Sequence, residues 1–128
     1  MVIDSSALLA IVFDERERPS FVDIIESAPR RLISAATLLE CSIVVFKRTG
    51  ETGVLWLEEF LKRAGIDIAS VDADQSRAAI DAYRRFGKGR HPAGLNFGDC
   101  FAYALAAVTS EPLLYKGDDF AKTDIAAA

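Results

Sequence analysis

Residues 1–13 read MVIDSSALLAIVF, and this stretch decides the fold class. Met1, Val2 and Ile3 form a short apolar run that ends in an acid, Asp4. A brief apolar run of this kind reads as a buried strand. Ser5 or Ser6 then offers a hydroxyl to cap a helix beginning near Ala7. Leu8, Leu9, Val12 and Phe13 supply that helix with apolar positions.

The same alternation continues along the chain. Pro19 marks a second helix start, with Phe21, Ile24 and Ile25 on its apolar face. Ala28-Pro29 ends it, because the residue before a proline avoids helical backbone. Arg31 to Ser34 reads as a strand. A helix from Ala35 to Arg48 follows, with Leu38, Leu39, Ile43, Val45 and Phe46 apolar and Gly50 closing it. Another runs from Glu51 to Ala64 and stops at Gly65. Ile66 to Val71 alternates like a strand. Asp72 or Asp74 caps a helix that reaches Phe86. Residues 87–95 form a loop rich in glycine and basic side chains. Asn96 caps a helix starting near Gly98, and Pro112 precedes a last strand, Leu113 to Tyr115. The remainder is mostly turn, with an apolar contact at Ile125. Strands alternating with helices predict an α/β fold with a mainly parallel sheet. In such sheets the functional site lies beyond the carboxyl ends of the strands.

The 128 residues carry no repeat, linker or low-complexity segment, so a single domain over 1–128 is expected. A chain of this length buries roughly two-thirds of its unfolded surface and needs no disulfide to fold. Its composition, 51% hydrophobic and 27% charged, excludes disorder. No apolar run reaches the roughly 18 residues that cross a bilayer. The start has no basic segment of a signal peptide, so a cytoplasmic location is expected, with no membrane partner. In that compartment Cys41 and Cys100 read as reduced, buried thiols. A zinc site is a poor fit, since His91 is the only histidine. The net charge of −4 is unusual for a nucleic-acid binder, but carboxylates that hold a cation are counted as negative in the bare chain.

Several acids stand in apolar surroundings. Asp4 follows Val2-Ile3, and Glu40 is embedded in Leu38-Leu39-Glu40-Cys41. Asp99 opens the apolar helix from Cys100 to Val108, and Asp118 and Asp119 follow the last strand. A buried carboxylate without a partner is costly or takes up a proton. Several such groups at the edge of one core coexist as anions when a cation joins them. Hard divalent ions suit oxygen ligands, and Mg2+ is usually held by one or two carboxylates plus substrate phosphate. Phosphodiester hydrolysis fits that chemistry. Each acid also has a plain structural reading. Asp4 also reads as a helix cap, Glu40 as a core-edge acid paired with Lys or Arg, and Asp118-Asp119 as a turn. Asn96 and Asp99 fit a capping box.

Arg84, Arg85, Lys88, Arg90 and His91 form the densest basic stretch and directly precede the Asp99 helix. Such side chains hold phosphates, or else decorate a solvated loop. Lys116 beside the last acids has the same two readings. Tyr83, Phe97 and Tyr103 are candidates for base stacking, although core packing is the commoner use of such residues.

Taken together, VIDSSAL at 2–8, Glu40, GKGRHPAGLNFGDCF at 87–101 and LLYKGDDFAKTDI at 113–125 resemble a PIN domain. More narrowly, they resemble the VapC toxins of bacterial type II toxin–antitoxin modules, over essentially the whole chain. The resemblance implies a three-layer α/β/α fold around a parallel sheet. It implies Asp4, Glu40 and Asp99 as an acidic triad, with Asp4 and Asp99 as main ligands of Mg2+ or Mn2+. A fourth acid is implied after the last strand, where Asp119 fits better than Asp118. Ser6 matches the hydroxyl residue that steadies the site, and Asn96 supports Asp99. The one departure is Ser5, where threonine is common. The implied activity is endoribonucleolytic attack by a metal-activated water, leaving a 5′-phosphate and a 3′-hydroxyl. The implied partners are RNA, a cognate VapB-type antitoxin and a second copy of the chain. The alternatives are a nuclease of the same fold with a housekeeping role in RNA processing or DNA repair, and a non-catalytic domain that binds RNA or protein.

Overall fold

Val2 and Ile3 point to opposite faces of the strand they form, and this alternation sets out the core. A computed structural model describes residues 1–128. Its elements are β1 (Val2–Ile3), α1 (Ser5–Val12), α2 (Arg18–Ser27), β2 (Leu32–Ser34), α3 (Ala35–Arg63), β3 (Asp67–Ala69), α4 (Ala73–Phe86), α5 (Phe97–Thr109) and β4 (Leu113–Leu114), followed by a 3-10 turn at Phe120–Lys122. The four strands form one sheet in the order β3-β2-β1-β4, and every pairing is parallel. Val2 sits opposite both Leu32 and Leu113.

On one face of the sheet Ile3, Ile33 and Leu114 pack with Leu8 and Ile11 of α1, Ile25 of α2, and Cys41, Val45 and Leu57 of α3. On the other, Val2, Leu32 and Leu113 pack with Phe86 of α4 and with Cys100, Tyr103 and Leu105 of α5. The expected three-layer α/β/α architecture is therefore present. Each fully buried Leu or Ile contributes roughly 1.5–3 kcal/mol. No helix is long and apolar enough to cross a membrane.

Two local expectations change and one is met. The cap of α1 is Asp4, not Ser5 or Ser6, because its carboxylate accepts the Ser6 N–H and the helix starts at Ser5. The two helices anticipated on either side of Gly50 are both present within Ala35–Arg63, separated by a kink at Gly50 with φ 67°, ψ −159°. Glycine alone adopts that backbone freely. The C-terminal tail also does more than turn. The Leu113 N–H donates to the Ala126 carbonyl at 2.9 Å, and the Ala128 N–H donates to the Leu113 carbonyl at 3.0 Å. The tail thus extends the sheet beside β4 and covers part of its edge. The anticipated caps of α4 and α5 are Asp72, which accepts the Gln75 N–H, and Asn96.

Candidate active site

The carboxyl ends of the strands and the N-terminal parts of α1, α3 and α5 meet at one end of the sheet. Asp4 ends β1 and caps α1, and its residue is only 3% exposed. One of its oxygens, Oδ2, accepts the Ser6 N–H at 2.9 Å and the Ser6 hydroxyl at 2.6 Å. The same hydroxyl accepts the Lys116 N–H at 2.9 Å, which ties the end of β4 to α1. Burial pushes the Asp4 carboxyl above the usual range, and its hydrogen bonds to Ser6 and Ser5 oppose that push.

Asp99 lies in the first turn of α5, held by a capping box. The Asn96 side chain accepts the Asp99 N–H at 2.9 Å, and Asp99 Oδ2 accepts the Asn96 N–H at 2.8 Å. Capping is therefore real, but it uses only one carboxylate oxygen. Burial pushes the Asp99 carboxyl up to about 6, and the negative charges of Asp4, Asp119 and Glu40 add to the push. Glu40 is raised as well, by burial and then by Asp4, while the Ser5 hydroxyl favours its charged form. The thiol of Cys41 is pushed up to about 12 by burial and by the charges of Glu40 and Asp4. Three acids distant in sequence thus act on Asp99, and Asp4 acts on Glu40 as well. Of the two acids after the last strand, Asp119 is the one whose charge raises Asp99. The Asp119 side chain caps nothing in the turn it precedes.

No ion pair in the protein involves Asp4, Glu40, Asp99 or Asp119. The reading of Glu40 as an acid neutralised by Lys or Arg therefore fails. No three of the acids form a ready-made coordination cage either. Both Glu40 oxygens lie against Gly98, where an added Cβ would sit 2.7 Å from each of them. Gly98 is consequently a member of the site that the sequence reading missed. The Ser5 hydroxyl, at the position where the resemblance expects threonine, favours the charged form of Glu40.

The basic residues divide into two groups. Arg84, Lys88 and Arg90 are exposed and form no ion pair. Arg85, His91 and Lys116 each have a partner within the chain. Arg85 donates to Asp124 at 2.5 Å, approaches the Tyr103 hydroxyl at 3.4 Å and lies 4.6 Å over the Phe86 ring. It ties α4 to the tail. The His91 Nδ1 accepts the Ala93 N–H at 3.1 Å, and the ring stands edge-on to Phe86. Lys116 is paired with Glu15 and, at 3.1 Å, with Glu17. The aromatics divide similarly. Tyr103 is buried and donates to Asp124 at 2.6 Å, whereas Phe97 is 79% exposed instead of packed in the core.

Comparison with known proteins shows the family. The family model of the PIN domain matches residues 1–126. The chain is 52% identical over 127 residues to Ribonuclease VapC of Mycolicibacterium smegmatis, covering 99% of this chain and 98% of that protein. It is 51% identical over 126 residues to Ribonuclease VapC30 of Mycobacterium tuberculosis, covering 98% and 96%. Among solved structures it is similar to Mycobacterium tuberculosis VapC20, described as a sarcin-ricin loop cleaving toxin. That match has a TM-score of 0.79 at 15% identity and covers 99% of this chain and 97% of the other. A toxin-antitoxin complex from Klebsiella pneumoniae matches with a TM-score of 0.74 at 16% identity, covering 99% and 95%. The chain belongs to the PIN-domain family, in its VapC branch.

Proposed function

We propose that this chain is a divalent-metal-dependent endoribonuclease that acts as the toxin of a type II toxin–antitoxin pair. One observation carries the reading: at one end of the sheet the charges of Asp4, Asp119 and Glu40 all act on Asp99, and none of the four has a basic partner. Such a cluster is unfavourable in the bare protein and favourable around a cation. The names of the relatives support the choice of RNA as substrate.

The residues present fit Mg2+ or Mn2+. Asp4 and Asp99 would hold the ion, each through the oxygen left free by Ser6 and Asn96, and Glu40 and Asp119 would hold its water. When bound, the cation supplies Lewis-acid polarisation of the phosphate and lowers the pKa of water. Ser6 fixes the rotamer of Asp4 and keeps β4 against α1. Gly98 leaves room for the Glu40 carboxylate, which orients the attacking water and accepts its proton. The resulting cut leaves a 5′-phosphate and a 3′-hydroxyl. Arg84, Lys88 and Arg90 position the RNA backbone.

The cognate antitoxin silences the enzyme by placing a basic side chain among the unpaired acids. A second copy of the chain covers the outer face of α3, where Leu39, Ile43 and Phe46 are exposed in one stripe. The enzyme acts in the cytoplasm. Incubation of purified protein with total RNA, with and without chelator, tests the central reading. Cleavage that needs added Mg2+ or Mn2+ and is absent in Asp99→Asn is expected. Cleavage by a metal-stripped Asp99→Asn protein would overturn it.

A further inference from the structure

Beside the acids a groove of about 520 Å3 runs between α4 and α5. Ile80 and Tyr83 form one wall, Phe97 and Phe101 the other, and Lys88 and Asn96 stand among the lining residues. Phe97 lies edge-on to Phe101, with ring centroids 4.9 Å apart. A phenyl ring left 79% exposed in the first turn of a helix gains little from water. The groove is concave and mostly apolar, with a few polar groups, as small-ligand clefts are.

We propose that this groove receives one unstacked base of a single-stranded RNA, adjacent to the phosphate held at the acids. The inference rests on the ribonuclease reading and names the form of RNA that the site takes. Three observations favour a base. First, flat aromatic faces are exposed where no protein segment covers them, and bases stack on such faces whatever their identity. Second, no acid lines the groove, and Lys88, which does, has no ion-pair partner. In a protein of net charge −4 this local sign selects a polyanion. Third, Asn96 spends its side-chain oxygen on the Asp99 N–H, so its amide N–H2 remains a donor for a base edge. Asn96, which lines the groove, also caps the helix turn that carries Asp99 and so joins the two sites. A second copy of the chain has a flatter apolar stripe available on α3 and needs no cationic rim.

The test uses short single-stranded RNA carrying 2-aminopurine at one position, with the position varied along the strand. Binding is measured in chelator, so that no cleavage occurs. Quenching of 2-aminopurine at one position is expected with the wild-type protein. Phe97→Ala and Tyr83→Ala each weaken binding about tenfold, in line with the loss of a base–aromatic stack. An abasic nucleotide at the quenched position weakens wild-type binding to a similar degree, and Phe97→Tyr restores affinity. Metal-dependent RNA cleavage by wild type, with no quenching at any position and unchanged affinity in both alanine variants, overturns the cleft alone. Conversion of Phe97→Ala from dimer to monomer in sedimentation, with RNA affinity retained, also overturns it and assigns the face to a second copy. Absence of both binding and metal-dependent cleavage by wild type overturns the ribonuclease reading along with it.

Discussion

Replacing Asp99 with Asn removes one negative charge from the cluster and keeps the geometry of the helix start. The Asn side-chain oxygen still accepts the Asn96 N–H, so the capping box survives. The wild-type Asp99 carboxyl is pushed up to about 6 by burial and by Asp4, Asp119 and Glu40. In an unfolded chain it titrates near 4. A gap of about two units corresponds to roughly 3 kcal/mol. Part of the carboxyl remains open to water, and solvent screening reduces the effect to about 1–2 kcal/mol. Any favourable interaction of the charged form with the helix dipole, about 0.3–1 kcal/mol, is already contained in the net shift.

The sign follows from proton binding. Between about pH 4 and pH 6 the folded protein holds a proton on Asp99 that the unfolded chain has released. The stability of metal-free wild type therefore falls as pH rises through that window. Above it, Asp99→Asn is the more stable protein, with a Tm higher by about 3–8 °C. Below about pH 4 the difference disappears, because both states of the wild type are protonated. Added Mg2+ or Mn2+ raises the wild-type Tm and leaves the Asp99→Asn Tm almost unchanged. Thermal unfolding at several pH values, with chelator and then with metal, measures all of this. A variant less stable than wild type at pH 7.5 without metal would refute the claim of uncompensated repulsion.

Other substitutions probe single contacts. Gly98→Ala places a Cβ 2.7 Å from both Glu40 oxygens. It displaces Glu40 and lowers the cleavage rate at least about tenfold, a loss of about 1.4 kcal/mol, with a native circular dichroism spectrum. Ser6→Ala deprives Asp4 and the Lys116 N–H of their shared hydroxyl. Chemical denaturation is expected to show a loss of about 1–3 kcal/mol, together with reduced cleavage. Neutralising Arg84 and Arg90 together weakens RNA binding and flattens its salt dependence. Arg85→Ala instead lowers the Tm by releasing Asp124 and the tail, and leaves the salt dependence of RNA binding as it was. Filter binding over a range of salt concentrations separates the two basic groups.

Those contrasts mark what the sequence made legible. The β–α alternation is local, so it was readable from short apolar runs and their caps. Asn96 and Asp99 are three residues apart and advertise their capping box directly. Gly50 and Gly65 ended helical patterns as expected, and Gly50 broke a helix that nevertheless resumed. The role of Gly98 was hidden, because it depends on a carboxylate that reaches it from another helix, at Glu40. Arg85 and Lys116 looked like free cations because their partners, Asp124, Glu15 and Glu17, lie far away along the chain. Phe97 looked like a core residue because composition carries no record of which side of α5 faces water. The acids were visible one by one as charges in apolar runs. Their mutual repulsion and lack of basic partners required the folded arrangement.

Crystals grown in Mn2+ and examined by anomalous scattering offer the most direct measurement. A single dominant peak at bonding distance from both Asp4 and Asp99 is expected, absent from crystals of Asp99→Asn. Manganese bound elsewhere, or no peak between these two carboxylates under conditions where the same preparation cuts RNA, would contradict the assignment.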